Sequence, residues 1–126
     1  TEDDLLNARR FEDVIAQTNY EIDIHSPLGE KACHERKIDS YDIPYRCLVP
    51  QNIKGLLVAG RSLSASHVAL SSARVMPTCF ALGQAAGIAA SLAVDAECAV
   101  ADISIEGLHQ QMKKQGVVFA AKKTPE

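Results

Sequence analysis

The sequence predicts a mixed α/β or α+β fold, and three stretches carry that prediction. Residues 56–59 are apolar without a break and end at Gly60, as in a strand covered on both faces of a parallel or mixed sheet. Residues 75–94 contain no charge, and Pro77 near their start favours the first turn of a helix. In residues 20–24 apolar and polar side chains alternate, which is typical of a half-buried strand.

The amino-acid composition argues against several classes of function. The 126 residues carry a formal net charge of −3, which gives no electrostatic basis for binding nucleic acid or an anionic membrane surface. A hydrophobic content of 47% with 23% charged residues indicates a globular protein. The 4 cysteines, at positions 33, 47, 79 and 98, form no Cys-x-x-Cys pair, so the sequence favours reduced thiols in a cytoplasmic protein over a zinc, iron–sulfur or disulfide framework.

The helix beginning near Pro77 has an unusual start and an unusual face. Met76 is the expected N-cap, and an apolar N-cap has no oxygen to accept from the free N–H groups of the first turn. These donors and the positive end of the helix dipole are then available to a ligand. Small residues recur three and four apart along the helix, which predicts close packing of another backbone or a flat ligand; they are Cys79, Gly83, Ala86, Gly87 and Ala90.

Three interpretations of residues 75–94 compete. One is an alanine-rich core helix packed on a sheet. A membrane span is the second, because the stretch is long, uncharged and contains Gly83-x-x-x-Gly87, although Pro77, Gln84 and the excess of alanine weaken it. The third is a ligand site where a strand ends and a helix begins, the place at which open α/β sheets bind cofactors.

The most specific sequence signal lies in residues 41–87. The segments YDIPYRCLVP (41–50), GLLVAGRS (55–62) and RVMPTCFALGQAAG (74–87) resemble the carboxyl-terminal part of bacterial FAD-dependent oxidoreductases. More broadly, they are similar to the closing segment of glutathione-reductase-type and fumarate-reductase-type flavoproteins. The resemblance covers roughly residues 5–118.

This resemblance implies FAD as the cofactor and redox chemistry on a small-molecule substrate, by hydride transfer to the flavin or the reverse. The chain would complete a Rossmann-like FAD-binding domain with residues 51–121, while residues 1–50 would be part of a substrate or cap region and 122–126 a flexible tail. The implied cofactor-binding residues are the turn Ala59, Gly60 and Arg61 and the helix start Arg74, Val75, Met76, Pro77 and Thr78. Arg74 would neutralise negative charge on the reduced flavin, with a structural salt bridge as the competing role.

Three further residues are the candidates nearest the substrate. Tyr45 offers a phenol donor and Arg46 a fixed cation, although a structural ion pair explains Arg46 equally well. His67, in a serine-rich connector over 62–73, is a candidate acid or base. No metal site is predicted, because a solvated strand face explains Glu21, Asp23 and His25 more simply than a set of ligands.

One departure from the family pattern is large. The glycines fit no Gly-x-Gly-x-x-Gly, the loop that cradles a dinucleotide pyrophosphate. The chain is therefore expected to be the last part of a longer enzyme, with an upstream FAD-binding part of the same polypeptide as its partner, and to be inactive alone. The alternative is a stand-alone interaction or homo-oligomerisation domain whose small-residue helix is the interface.

The remaining elements are predicted from local patterns. Residues 3–17 suggest an amphipathic helix that Thr18 and Asn19 end, 26–29 a turn, 30–40 an exposed loop and 41–49 a strand bent or edged by Pro44. A last helix should run from about Ile105 to Gln115. Its expected N-cap is Ser104, its buried residues Leu108 and Met112, and its stop Gly116.

Overall fold

The computed structural model describes residues 1–25 and 34–120, which combine helices with two small antiparallel sheets. The helices are α1 (Glu2–Leu6), α2 (His67–Ala73), α3 (Met76–Asp95) and α4 (Ile105–Lys114). The strands are β1 (Val14–Thr18), β2 (Ile22–Ile24), β3 (His34–Arg36) and β4 (Tyr41–Pro44). The mixed helix and strand class predicted from the sequence is confirmed. The predicted turn at 26–29 and tail at 122–126 lie outside the described residues.

Each sheet is a pair of antiparallel strands. β1 pairs with β4, so that Gln17 faces Asp42 and Thr18 faces Tyr41, with a bulge between Val14 and Ala16. β2 pairs with β3, which shows that the predicted loop over 30–40 contains a strand. The strand predicted over 41–49 ends at Pro44, and a 3-10 helix over Tyr45–Leu48 follows.

The amphipathic helix predicted over residues 3–17 is wrong. α1 ends at Leu6, and Ala8 adopts a left-handed backbone conformation with φ of 45° that turns the chain out of the helix. Ile15 and Ala16 are buried in β1, beside β4. The spacing of Val14 and Ile15 three and four residues after Phe11 fits a helix locally, but pairing with a strand distant in sequence outweighs that local preference.

The central strand predicted at residues 56–59 is also absent from the described structure. Val58 donates its N–H to the Leu48 carbonyl at 2.8 Å, but its neighbours continue no ladder to a described strand. Leu56 is 42% exposed. The apolar run is therefore an extended segment that leads into a 3-10 helix at Gly60–Ser62.

The serine-rich connector over 62–73 is partly helical. Ser66 is the N-cap of α2 and accepts the Ala69 N–H at 3.4 Å. Ser72 is buried at the far end of α2, where it accepts from the Tyr41 hydroxyl at 2.9 Å and donates to the Tyr20 carbonyl. These serines begin the helix and dock it on β2, which is a role the sequence analysis did not predict.

α3 buries one face and exposes the small-residue face. Leu82, Ala85 and Ala89 are fully buried, and the helix packs against β1 and α4. Gly83 and Gly87 are exposed, and a Cβ built on either would have no heavy atom within 4 Å. The close packing predicted for this stripe is thus not found among the described residues.

By length and composition α3 alone among the described helices passes as a membrane-span candidate, with 33% of its most apolar window buried inside the structure. A core helix of a soluble protein can pass the same test, and α3 packs one of its faces on β1 and α4.

The last helix is confirmed almost residue for residue. Ser104 is the N-cap of α4 and accepts the Gly107 N–H at 3.1 Å. Leu108 and Met112 are buried, and Gly116 adopts φ of 83° just after the helix. Local capping chemistry and amphipathic spacing were sufficient here because both act within a few residues.

The carboxylate of Asp42 is buried and fully paired. It accepts from Arg10 Nη1 at 2.7 Å, the Phe11 N–H at 2.9 Å and Gln17 Nε2 at 2.7 Å. Gln17 in turn accepts the Ala120 N–H at 2.6 Å. One carboxylate thus joins the chain leaving α1, both strands of a sheet and the segment after α4.

We expect Asp42→Ala to destabilise the protein by about 3 kcal/mol, because it leaves the partly buried guanidinium of Arg10 and two further donors without their acceptor. Urea unfolding of the full-length protein measures the loss. Asp39→Ala, at an exposed position, is the matched control and should change stability by less than about 0.5 kcal/mol. Equal effects of the two variants would show that the Asp42 network is not a structural centre.

Candidate flavin site

The N-terminus of α3 has donors without a side-chain cap. Its N-cap is Val75, one residue earlier than predicted, and Pro77 therefore occupies the second helical position. Val75 supplies no side-chain oxygen, and the first turn contains no acidic residue. The expected consequence of an apolar N-cap stands: the dipole and the first N–H groups are not neutralised by the helix itself.

A glycine turn lies beside this helix start. Gly60 adopts φ of 70°, a conformation that favours glycine, and no heavy atom lies within 4 Å of a Cβ built there. The 3-10 helix that Gly60 begins packs against α3, and Arg61 Nε donates to the Arg74 carbonyl at 3.3 Å. The structure therefore brings together the two segments predicted to bind the cofactor, 59–61 and 74–78.

A cleft of about 330 Å³ opens at the start of α3. On one side it is lined by Val75, Pro77, Thr78 and Ala81, and on the other by the link between β1 and β2, residues 17–20. The sequence analysis missed this second wall because it took Thr18 and Asn19 for the end of a helix. Had residues 14–18 been recognised as strand β1, the link after it would have been placed beside α3, because β1 and α3 pack together.

Arg74 lies at the junction of α2 and α3. Its Nε donates to the Ser71 carbonyl at 3.3 Å, and its Nη2 contacts the Asp23 carbonyl at 3.3 Å and Asp23 Oδ2 at 3.4 Å. The salt bridge considered from the sequence is therefore present. The side chain is still 41% exposed, so the ion pair does not enclose the guanidinium.

Tyr45 lies in the core rather than at the cleft. The residue is 3% exposed, and its hydroxyl donates to the Val100 carbonyl at 2.6 Å. Burial, with a smaller contribution from the Cys98 thiolate, raises the pKa of Tyr45 to about 12. These contacts are those of a structural phenol, and the catalytic role of Tyr45 stays a prediction.

Arg46 lies at the surface, where it contacts the carboxylate of Asp13 and the ring of Phe11. Its Nη1 lies 3.0 Å from Asp13 Oδ1, an ion pair without hydrogen-bond geometry, and its guanidinium stacks 4.8 Å from the centre of the Phe11 ring. Tyr45 and Arg46 both line a wide groove of about 1260 Å³, which shares no lining residue with the cleft at α3. Of the predicted cofactor residues, Val75, Pro77 and Thr78 line the cleft, which is separate from the groove that Tyr45 and Arg46 line.

His67, the third candidate near the substrate, is exposed at the first position of α2. It lines neither the cleft nor the groove. Ser66, the residue before it, lines the groove together with Tyr45 and Arg46, whereas His67 itself does not.

The comparison with protein families decides the cofactor class. The model of the FAD dependent oxidoreductase family matches residues 1–112, most of the chain. The chain belongs to the FAD-dependent oxidoreductase family. No curated protein and no solved structure matches it. Membership implies FAD as the cofactor, as the sequence analysis predicted.

The residues of this flavoprotein chain fit a flavin at the start of α3. A flavin ring gains negative charge on reduction, and the local donor set is positive: the α3 dipole, the guanidinium of Arg74 and that of Arg61. The turn at Gly60 presents backbone without a side chain. These features are compatible with the cofactor role predicted for Ala59, Gly60, Arg61 and the start of α3, and that role stays a prediction.

In residues 1–25 and 34–120, no group of three or more His, Cys, Asp or Glu side chains is arranged to hold a metal ion. Asp23 and His25, considered above as ligands, contact each other at 2.9 Å. Cys79, in the first turn of α3, donates its thiol to the Arg74 carbonyl at 3.5 Å.

Tyr45→Phe is expected to cost about 1 kcal/mol of stability at neutral pH, because the partly buried bond from the phenol to the Val100 carbonyl is lost. The phenol has a higher pKa when folded, so its contribution is complete below pH 10 and is lost as pH rises towards 12. The stability difference between wild type and variant should therefore shrink across that interval. Thermal unfolding at several pH values measures it, with the more exposed Tyr20→Phe as the control.

Proposed function

We propose that this chain forms the flavin-facing part of a longer oxidoreductase that oxidises or reduces a small-molecule substrate. The observation that carries the proposal is the meeting of the Gly60 turn with the uncapped start of α3, joined by the bond from Arg61 to the Arg74 carbonyl. Bound FAD would supply the two-electron chemistry. The chain's own residues would orient the flavin and stabilise the negative charge of its reduced form.

Arg74 and the start of α3 act together in this proposal. The N–H groups of Met76 and Thr78 would donate to the flavin, whereas Pro77 has none to offer and fixes the backbone between them. The guanidinium adds a full charge to the partial charge of the helix terminus. Both are preorganised by the fold, so little reorganisation is needed when the flavin is reduced.

The same proposal covers the rest of the enzyme and its location in the cell. The pyrophosphate of FAD would be held by an upstream part of the polypeptide, since the glycines of this chain fit no dinucleotide-binding fingerprint. In this assignment residues 1–50 belong to a substrate or cap region and residues 51–121 to the FAD domain. We place the enzyme in the bacterial cytoplasm, akin to glutathione-reductase-type and fumarate-reductase-type flavoproteins, with no nucleic-acid or membrane partner.

A second candidate function is protein association through α3. Its outward face is apolar: Met76 is 66% exposed, Phe80 73% and Val94 76%. Gly83 and Gly87 lie exposed between them with no described atom near their Cβ positions. Such a surface is typical of a protein interface, either with another part of the enzyme or with a second copy.

The test of the function is the flavin content of the protein purified from its complete reading frame. We expect two flavin absorption bands and release of FAD on denaturation. A colourless protein that cannot be reconstituted with FAD would overturn the proposal and favour the interface function. Sedimentation of that protein would then show whether it is an oligomer.

Arg74→Ala is expected to lower the reduction potential of the bound flavin. Removing the guanidinium weakens binding of reduced FAD relative to oxidised FAD by about tenfold, equivalent to about 30 mV for a two-electron couple. Lys54→Ala removes an exposed cation elsewhere and should leave the potential unchanged. Redox titration against a reference dye measures both, and an unchanged potential in Arg74→Ala would eliminate its electrostatic role.

A further inference from the structure

Arg74 occupies a position where two helix ends exert opposite effects on it. It is the C-cap of α2, where a cation is favourable, and its Nε donates to the Ser71 carbonyl there. It also directly precedes Val75, the N-cap of α3, where the positive end of the dipole disfavours a cation. No acid in the first turn of α3 compensates for this repulsion.

The compensating charge comes from β2. Asp23 Oδ2 lies 3.4 Å from Arg74 Nη2, and the Asp23 carbonyl accepts from the same nitrogen at 3.3 Å. The side chain of Asp23 is only 14% exposed, so solvent screens this charge less than it would at an open surface. Both acceptors belong to Asp23 and hold the same edge of the guanidinium, and Asp23 Oδ2 also contacts His25 Nε2 at 2.9 Å.

The position of Asp23 relative to α2 is itself fixed. The buried Ser72 donates to the Tyr20 carbonyl just before β2, and the Tyr41 hydroxyl donates to Ser72 at 2.9 Å. β2 and α2 pack against each other. The carboxylate therefore lies at a defined place beside the helix junction, and the guanidinium is directed by contacts at Nε and Nη2. No described residue accepts a hydrogen bond from Nη1.

We propose that Asp23 is a positioning residue that orients Arg74 at the start of α3 and, by partly neutralising its charge, sets the reduction potential of the flavin. The inference rests on the proposed function. The proposal predicts shifts of the reduction potential in opposite directions. Removing the Asp23 charge strengthens the positive field at α3, whereas removing Arg74 weakens it. A residue needed only for folding would not shift the potential in the direction opposite to that of its partner.

The experiment compares flavin reduction potentials in the full-length holoenzyme. Asp23→Asn should raise the potential by about 30 mV, a tenfold gain in affinity for reduced over oxidised FAD. In the Arg74→Ala background the same substitution should raise it less, because the part of its effect that depends on holding the guanidinium is then absent and only the direct field of the carboxylate remains. Glu21→Gln is the matched control, because the Glu21 carboxylate lies two residues from Asp23 and makes no hydrogen bond or ion pair with the described residues. The flavin reduction potential of this variant should equal that of wild type.

Several other outcomes would overturn the positioning role of Asp23. An equal rise in both backgrounds, an unchanged potential in Asp23→Asn, or a rise of the same size in Glu21→Gln would each overturn the positioning role. Asp23→Ser, which also removes the charge, replaces Asp23→Asn if that variant does not fold. Loss of FAD from both variants while Arg74→Ala retains it would also overturn the role, because Asp23 would then be needed for folding.

The proposed function can fail separately. Absence of FAD from the wild-type enzyme contradicts the flavoprotein assignment, and an unchanged potential in Arg74→Ala contradicts only the electrostatic role of that residue. A lowered potential in Arg74→Ala with no response in Asp23→Asn leaves the function standing and rejects the inference about Asp23.

Discussion

The carboxylate of Asp42 is the constraint around which the described structure is arranged. Burying a charge is costly unless it is paired, and this one is paired three times, by Arg10, the Phe11 N–H and Gln17. These partners come from the loop after α1 and from β1, so the network fixes the β1 to β4 register that the sheet also requires. Because β1 packs on α3, the same network positions the wall of the cleft opposite the helix start.

A second constraint operates at the α2 to α3 junction. One residue, Arg74, ends α2 favourably and begins α3 unfavourably, and Asp23 resolves the conflict from a strand 51 residues away in sequence. The result is a concentration of positive charge held in place by acceptors on one side only. In the proposed function, charge that is fixed before reduction and partly compensated by the protein would serve both the neutral and the negative form of the flavin.

Much of the candidate site was predictable because its signals are local. Pro77 and the apolar residues before it marked a helix start without a cap, and the family resemblance placed Gly60 in a turn, for which the structure shows a positive φ. The substrate-side candidates were less predictable. Whether Tyr45 faces solvent or the core, and whether Arg46 is held by Asp13, depends on elements far away in the chain, which no local pattern encodes.

By itself, the sequence determined the mixed fold class, the flavoprotein family, the capped and amphipathic helix α4 and the uncapped start of α3, since each arises from residues within a few positions of one another. Only the tertiary structure decided that residues 14–18 form a strand, that residues 56–59 do not, and that Asp23 holds Arg74. In all three cases the deciding contact, or its absence, involves chain segments distant in sequence. Backbone pairing and charge compensation at that range override local propensity, because they are available only once the chain has folded.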